Sequence, residues 1–351
     1  WDLVGDRRFV RSRPVQPQPT SAQIKFATVS PNGQTVANLV QADGQESFAV
    51  QLLDIKSGTR TPPSAFRESN AYFADIVWRP DGRMVASAQN DQWVDLWDGV
   101  TGQAAGQHRV PDRYGVVDTV RFSEDSTRLV VGTHQGWVYA VDASTLEILG
   151  KPVQVKAGVP TYGLAANGDG HRALVWIDRK LQLLDLDAGR VVQTSDPGLN
   201  VDSSSWLPDG KAVVVVGSDP SRDGHGTVAF LDPKTLSTRS RTSGPHIPGG
   251  YWIQFSSDGD RFTTSGSDRA GLWDANIGSY LGSVDVRFGM AGFTQGTSEV
   301  LIASLDGEIS VWDPRPEAAV KAACRIANRE LTQTERRVYL PGRERLPVCG
   351  S

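Results

Sequence analysis

The chain has 351 residues, and 39% of them are hydrophobic, which is enough apolar material for a large buried core. Its 36 basic and 40 acidic residues give a net charge of −4, so charge provides no reason to expect nucleic acid as a partner. No apolar run reaches the length of about 18 residues that spans a membrane, and the N-terminus lacks the apolar core of a secretory signal. With only two cysteines, Cys324 and Cys349, the chain is not a disulfide scaffold, and we expect a soluble cytoplasmic protein without membrane contacts.

A short β-like run that ends in an apolar residue and an aspartate recurs seven times along the chain. Successive aspartates are 39 to 47 residues apart, and they are Asp54, Asp98, Asp142, Asp185, Asp232, Asp274 and Asp313. Each run follows a turn signal such as Pro31-Asn32-Gly33, in which glycine supplies the positive φ of a tight turn. The position before each turn is usually large and apolar, and its residues are Val29, Trp78, Phe122, Ala166, Trp206, Phe255 and Phe293.

The length of these repeats predicts the fold. About forty residues leave room for four short strands and none for helices, which is the spacing of propeller blades. We therefore predict an all-β, seven-bladed β-propeller over residues 1–315. The seventh repeat is followed by helix-like sequence and lacks an outer strand. We expect Arg7 to Arg13 to fill that place by pairing with the strand that ends at Trp312.

The repeat resembles that of the WD-repeat family over residues 1 to about 314. The Trp-Asp pair itself stands at Trp97-Asp98, Trp273-Asp274 and Trp312-Asp313, whereas leucine or valine replaces the tryptophan in the other four repeats. The resemblance implies a WD-type ring closed by strand exchange between the termini. It also implies that the hairpins between second and third strands rise from the top face, where partners usually bind.

From Pro316 onward the sequence changes character, and we predict that residues 316–351 form a helical tail packed on the propeller. Apolar residues recur at helical spacing after Pro316, and Thr332 with Glu335 predicts a capping box that opens a second helix. The apolar contacts are expected from Val320, Ile326, Leu331, Tyr339 and Leu340. Cys324 and Cys349 bracket the tail and could form a disulfide, which a reducing cytoplasm would oppose, so the pairing stays open.

The tail resembles the one that ends the WD-repeat regions of actinobacterial STAND-type signalling NTPases and related regulators. The matching positions are Cys324, Asn328, Arg329, Leu331, Thr332, Tyr339 to Gly342 and Cys349, while Arg336 stands where that pattern has tryptophan. The resemblance implies that the chain is the C-terminal recognition module of a larger cytoplasmic regulator. Any NTPase or effector activity would then belong to upstream domains of the same polypeptide.

The sequence gives little basis for catalysis. Its five histidines share no motif with a nucleophile or a set of metal ligands, and no glycine-rich loop precedes a helix. The run from Asp219 to Gly224 opens like a calcium loop, but Phe230 occupies the position of the bidentate acid, which favours a solvated hairpin. We therefore predict that the chain has no catalytic, cofactor or metal site. We predict instead that it is a non-catalytic scaffold for protein interaction and sensing.

Candidate partner-binding residues lie on the expected top face. Aromatic side chains cluster where inner strands begin, and the second-to-third hairpins of the first and fifth repeats, at Gln41 to Ser47 and Ser218 to Gly226, are longer than the others. The candidates are Tyr72, Phe73, Trp93, Tyr114, Trp137, Tyr162, Asp219, Arg222, Asp223, His225, Tyr251 and Trp252. Packing between blades for the aromatic residues, and insertions without function for the loops, are the alternatives.

Two further functions stay open. The turns DIKSGT, from Asp54 to Thr59, and DGVTGQ, from Asp98 to Gln103, resemble those of quinone-dependent propeller enzymes. That class also needs docking tryptophans and a cluster of cofactor ligands, which the sequence does not offer. The second alternative is a structural hub for assembly of a homo-oligomer.

Overall fold

Antiparallel β-sheets follow one another along the chain and form seven blades. The computed structural model describes residues 10–13, 15, 22–42, 48–65, 75–89, 91–221, 225–244, 252–266, 269–285, 289–294, 297–327, 329–330 and 332–339. Blade 1 contains β2 (Ala22–Val29), β3 (Thr35–Ala42) and β4 (Phe48–Asp54). Blade 2 contains β5 (Asp75–Trp78), β6 (Met84–Ala88), β7 (Trp93–Asp98) and β8 (Ala104–Arg109). Blade 3 contains β9 (Val117–Phe122), β10 (Arg128–Thr133), β11 (Trp137–Asp142) and β12 (Ile148–Gln154).

The remaining blades repeat the same meander. Blade 4 contains β13 (Tyr162–Ala166), β14 (Arg172–Ile177), β15 (Lys180–Asp185) and β16 (Arg190–Ser195). Blade 5 contains β17 (Asn200–Trp206), β18 (Val213–Asp219), β19 (His225–Leu231) and β20 (Thr238–Gly244). Blade 6 contains β21 (Trp252–Phe255), β22 (Arg261–Ser265), β23 (Arg269–Asp274) and β24 (Tyr280–Asp285). Blade 7 contains β25 (Gly289–Phe293), β26 (Val300–Ser304) and β27 (Ile309–Trp312), and its outer strand is β1 (Val10–Arg13).

The ring closes as the sequence predicts. Each innermost strand contacts the innermost strand of the next blade, and β2 of blade 1 contacts β25 of blade 7. The outer strand β1 pairs antiparallel with β27, from Val10 opposite Trp312 to Arg13 opposite Ile309. The predicted exchange of strands is confirmed for Val10–Arg13, while residues 7–9 lie outside the described part of the chain. The protein is an all-β, seven-bladed propeller of the WD type.

The strand directions define two faces. We call the face where innermost strands begin the top face; second and third strands are also joined there. The bottom face holds the turns between first and second strands and between third and fourth strands. The strand ends that the two long predicted hairpins join, β3 with β4 and β18 with β19, lie on the top face, while residues 43–47 and 222–224 of these hairpins lie outside the described residues.

Blade 1 departs from the predicted four strands. Its outer segment, residues 59–64, makes only two isolated bridges to β4, between Val50 and Ser64 and between Leu53 and Arg60. Pro62 and Pro63 lie between these bridges, and proline has no N–H to donate to a ladder. Backbone hydrogen bonds still cover most of the outer edge of β4, because Thr61 N donates to Leu52 O at 2.8 Å and Ser64 N donates to Val50 O at 2.9 Å.

The core lies between neighbouring blades, so most central strands are buried on both sides. Leu96 of blade 2 and Leu129 of blade 3 share one apolar cluster, and each interface between blades repeats this arrangement. The two fully buried Trp-Asp tryptophans satisfy their indole N–H within their own blade. Trp97 Nε1 donates to Ser87 Oγ at 3.3 Å, and Trp273 Nε1 donates to Thr264 Oγ1 at 3.1 Å.

The recurring aspartates cap turns on the bottom face. Asp98 Oδ1 accepts hydrogen bonds from Val100 N at 3.0 Å, Thr101 N at 2.7 Å and Thr101 Oγ1 at 2.8 Å. The corresponding carboxylates that accept backbone N–H groups of their own turns are Asp54, Asp142, Asp185, Asp232 and Asp274. These bonds hold the pKa of Asp98 below its usual value, with the Thr101 backbone N–H as the largest cause. The repeat that reveals the fold is therefore a repeated turn cap.

Two short helices follow the propeller, α1 (Pro316–Ala327) and α2 (Gln333–Tyr339). The predicted capping box is confirmed, because Thr332 N donates to Glu335 Oε2 at 2.8 Å and Glu335 N donates to Thr332 Oγ1 at 3.2 Å. Val320, expected to contact the propeller, is 45% exposed, and docking of the tail stays a prediction. Cys324 is disulfide-bonded, and Cys349 lies outside the described residues. Neither helix among the described residues is long and apolar enough to cross a membrane.

Candidate functional site

The mouth of the central channel on the top face carries irregular strand starts. In β9, Val117 pairs with Thr133 and Thr119 pairs with Gly132, which leaves Asp118 as an extra residue. In β17, Val201 pairs with Gly217 and Ser203 with Val216, which leaves Asp202 extra in the same way. Such bulges re-aim side chains and are frequent next to binding sites.

Tyr162 stands between these two aspartates around the ring, because it begins the innermost strand of blade 4. Ser204 Oγ of blade 5 donates to Gly163 O, so the residue after Tyr162 contacts the strand that carries Asp202. On the other side, Thr161 Oγ1 donates to Thr133 O of blade 3 at 3.4 Å, so the residue before Tyr162 contacts the strand next to the one that carries Asp118. Three consecutive blades thus place two carboxyl groups on either side of one tyrosine.

Asp118 is a buried carboxyl group with unused hydrogen-bonding capacity. Its side chain is 13% exposed, and Oδ1 accepts from His134 Nδ1 at 3.2 Å. Its Oδ2 atom is buried and has no hydrogen-bond partner. Burial raises the pKa of Asp118, and the His134 side chain and the Thr161 N–H oppose that rise. Its negative charge is therefore only partly balanced.

The negative charge of Asp202 is less balanced than that of Asp118. Its side chain reaches solvent, but the surrounding protein disfavours its charge and raises the pKa to about 6. Although the side chain is exposed, partial loss of hydration to the surrounding protein is the sole cause of this shift, so within the described part of the chain no nearby cation lowers the pKa of Asp202. Tyr162 beside it is 54% exposed, which is unusual for an aromatic side chain in a folded protein.

In contrast, the ion pair between Asp75 of blade 2 and Arg121 of blade 3 leaves the Asp75 carboxylate well supplied with hydrogen-bond donors. Asp75 Oδ2 accepts from Thr119 Oγ1 at 2.8 Å, from Val120 N at 3.2 Å and from Arg121 Nη1. This buried ion pair joins the two innermost strands. Asp75 and Arg121 therefore serve the packing of the ring.

Several sequence-predicted aromatic residues lie within the core. Tyr114 is 2% exposed, and its ring centroid is 4.7 Å from that of Trp137 and 5.4 Å from that of Tyr139. Trp137 packs partly buried against the same cluster, so packing between blades accounts for both residues. Trp93 begins β7 at the position that Trp137 takes in β11, and it is half-buried. Trp252 is half-buried and meets Phe26 edge to face at 6.4 Å.

The charged candidates of blade 5 are divided between buried and undescribed positions. Asp219 is 2% exposed, accepts from Ser221 N at 2.9 Å and lies 3.4 Å from Arg241 Nη1. The sequence predicts a solvated hairpin here, but its first residue, Asp219, is buried and caps the turn. His225 pairs with Asp219 in the ladder. The candidates Tyr72, Phe73, Arg222, Asp223 and Tyr251 lie outside the described residues.

The candidates predicted from the sequence include Tyr162 but not Asp118 or Asp202. The signal that could have found them is an acidic residue four positions before the apolar residue that precedes the turn, at Phe122 in one repeat and Trp206 in the other. Charge at that position is unexpected in a strand that would otherwise be buried on both sides. The bulges that make this position accessible have no sequence signature.

The bottom face carries a polar cleft between blades 1 and 2. Its volume is about 660 Å³, and its lining includes Asn32, Gln34, Asp54, Thr59 and Val100. The Asp54 carboxylate and the Asn32 amide oxygen in this cleft already cap their own turns. Across the described ranges, no group of three histidine, cysteine, aspartate or glutamate side chains is arranged to hold a metal ion.

Comparison with known proteins agrees with the fold. A curated protein named WD repeat-containing protein SL1-17, from Schistosoma mansoni, is 30% identical over 141 residues. The match covers 39% of this chain and 45% of that protein, so the chain spans less than half the length of this relative. No protein-family model matches the chain. The seven blades and this partial similarity together support a WD-repeat propeller.

Proposed function

We propose that this propeller is a non-catalytic protein-interaction scaffold that binds its partner on the top face. The observation that carries the proposal is the contrast between the two faces. The bottom turns repeat one solution, in which an aspartate satisfies the backbone of its own turn, as Asp98 and Asp142 do. The described top face instead presents an exposed tyrosine and an unbalanced carboxylate at its strand starts. Function concentrates where a rigid scaffold carries such variation.

The top face offers the chemistry of a protein interface. Tyrosine is enriched among the residues that dominate binding energy, because it combines a large apolar face with a polar tip. The backbone next to Tyr162 is tied to blade 5, because Ser204 Oγ donates a hydrogen bond to Gly163 O. The fold also provides rigid support, since both flanking blades are packed through buried apolar clusters.

The proposal is tested by photo-crosslinking at matched positions on the two faces. On the top face, a photoreactive phenylalanine derivative replaces Tyr162 or Arg179. On the bottom face it replaces Val100, which is 79% exposed, or Ile277, which is 74% exposed. We expect saturable crosslinks to one protein from positions 162 and 179, competed by unlabelled propeller, and none from positions 100 and 277. Crosslinks from the bottom positions alone, or from none of the four, would contradict a top-face scaffold.

A finer role follows from the resemblance of the tail to those of STAND-type regulators. We infer that the propeller recognises a signal for a larger signalling protein and that its partner or its upstream domains carry the effector activity. The matching positions within the described tail include Cys324, Arg329 and Thr332. Genetic fusion of the propeller to candidate upstream domains, followed by an activity assay with and without partner, tests this role. Activity that ignores the partner would contradict it.

A further inference from the structure

We propose that the channel mouth around Asp118, Tyr162 and Asp202 binds a cationic side chain, arginine or lysine, from a partner protein. This inference rests on the proposed top-face function and names the chemistry that such a partner must present. Three independent features of the mouth support it: its geometry, an unpartnered buried acceptor and the absence of a described balancing cation.

The order of the blades places a tyrosine between two aspartates around the channel mouth. Asp118, Tyr162 and Asp202 stand at equivalent positions in three consecutive blades, four residues before Phe122, Ala166 and Trp206. Contacts on both sides of Tyr162, from Ser204 Oγ to Gly163 O and from Thr161 Oγ1 to Thr133 O, join its strand start to both neighbouring blades. A cation above a tyrosine ring gains electrostatic attraction, and flanking carboxylates add charge-assisted hydrogen bonds.

The unpartnered acceptor is Oδ2 of Asp118, which is buried and receives no hydrogen bond. Buried polar atoms are nearly always paired, and an unpaired acceptor usually indicates an absent partner. A donor brought by the ligand would satisfy it. An ionised carboxylate only accepts hydrogen bonds, so the group that pairs with Oδ2 has to be a donor, and a guanidinium or ammonium N–H is a donor that also balances the charge.

Two cations near this part of the top face already have carboxylate partners. Arg121 is paired with Asp75, and Lys156 is paired with Asp178. His134 contacts Asp118 through one oxygen only. Asp202 has no described counter-ion, so the mouth keeps negative charge for an incoming group.

The chain itself contains a neighbouring example of the same chemistry. The Arg113 guanidinium carbon lies 4.6 Å from the centroid of the Tyr114 ring. Arg109 next to it pairs with Asp112 at 2.9 Å. One loop of this face thus holds an arginine over a tyrosine ring and, separately, a second arginine paired with a carboxylate.

The test uses the full chain and three labelled nonapeptides built from glycine, serine and alanine, with a central arginine, lysine or citrulline. Citrulline keeps the shape of arginine without its charge. Fluorescence anisotropy at low ionic strength measures each dissociation constant. We expect the arginine or the lysine peptide to bind about tenfold more tightly than the citrulline peptide, and the difference to shrink as salt is added.

Variants locate the binding. Asp202→Asn and Tyr162→Leu should each weaken binding of the cationic peptide about tenfold, whereas Tyr162→Phe keeps the ring and should bind as the wild type does. Asp306→Asn is the matched control, because it removes an exposed charge from the top face of blade 7. Circular dichroism confirms that each variant is folded.

The outcomes separate this inference from the proposed function. Any of three results would overturn the cationic ligand. The first is equal binding of the arginine and citrulline peptides, and the second is unchanged affinity of Asp202→Asn. The third is no binding of either cationic peptide at 1 mM, which is on the order of the weakest specific complexes. Top-face photo-crosslinks to a segment without arginine or lysine would do the same while leaving the scaffold function intact. Failure of the top-face crosslinks would instead remove the function on which this inference rests.

Discussion

At the scale of single residues, Asp202 links binding to stability. Its folded pKa of about 6 lies above the unfolded value of 3.8, so between these values the folded state holds a proton that the unfolded state has lost. The contribution of Asp202 to the free energy of unfolding is therefore highest below pH 3.8 and decreases as pH rises towards 6. A carboxylate that costs stability when charged is what a site awaiting a cation would contain.

Replacing this carboxylate should stabilise the protein. We expect Asp202→Asn to have a higher free energy of unfolding than the wild type at pH 7, because the variant carries no disfavoured charge. The gain should be smaller than full burial would give, since the side chain reaches solvent. Urea denaturation at pH 7 and at pH 3.5 checks this, and at the lower pH the two proteins should agree. A less stable variant at pH 7 would show that the charge is balanced.

The turn-capping aspartates should behave in the opposite way. Asp98→Ala removes the acceptor for two backbone N–H groups and a hydroxyl, so we expect the free energy of unfolding to fall by about 1 kcal/mol. Asp112→Ala is the control, because Asp112 makes an exposed ion pair with Arg109 that should contribute less than about 0.5 kcal/mol. Equal losses in the two variants, measured by urea denaturation, would contradict the capping role.

At the scale of elements, the ring depends on the pairing of β1 with β27. Removing residues 1–13 deletes β1 and exposes the edge of β27, which we expect to lower the melting temperature and to promote self-association through that edge. Removing residues 1–6 is the matched control, because the predicted strand begins only at Arg7. Calorimetry and light scattering check both deletions. A 14–351 chain that stays monomeric with an unchanged melting temperature would show that β1 is dispensable.

Most elements could be predicted because turn chemistry repeats along the chain. The aspartates that end the third strands, such as Asp98 and Asp142, mark both the blade period and its turn, so the number of blades and the ring closure were correct. The outer segment of blade 1 was not predicted as irregular, although Pro62 and Pro63 explain it. The site was harder, because Tyr114 and Tyr162 look alike in sequence, whereas their exposures of 2% and 54% depend on contacts between blades.

At the scale of the whole molecule, the disulfide at Cys324 bears on where the protein works. Disulfides persist in oxidising compartments and are rare in the cytosol, so this bond is in tension with a cytoplasmic location, which stays a proposal. We expect denatured, unreduced protein to show no free thiol with a thiol-reactive dye and to show two after reduction. Two free thiols before reduction would contradict the bond. Cys324→Ser should then lower the stability of the tail, while the melting of the propeller stays unchanged.

The top face as the partner-binding face is the central claim, and hydrogen exchange with the crosslinked partner present tests it most directly. We expect binding to slow amide exchange at the strand starts of blades 3 to 5, residues 117–119, 161–164 and 200–203. Exchange in the bottom turns at residues 98–102 and 274–278 should stay as in the free protein. Protection confined to the bottom turns, with unchanged exchange at the channel mouth, would contradict the account.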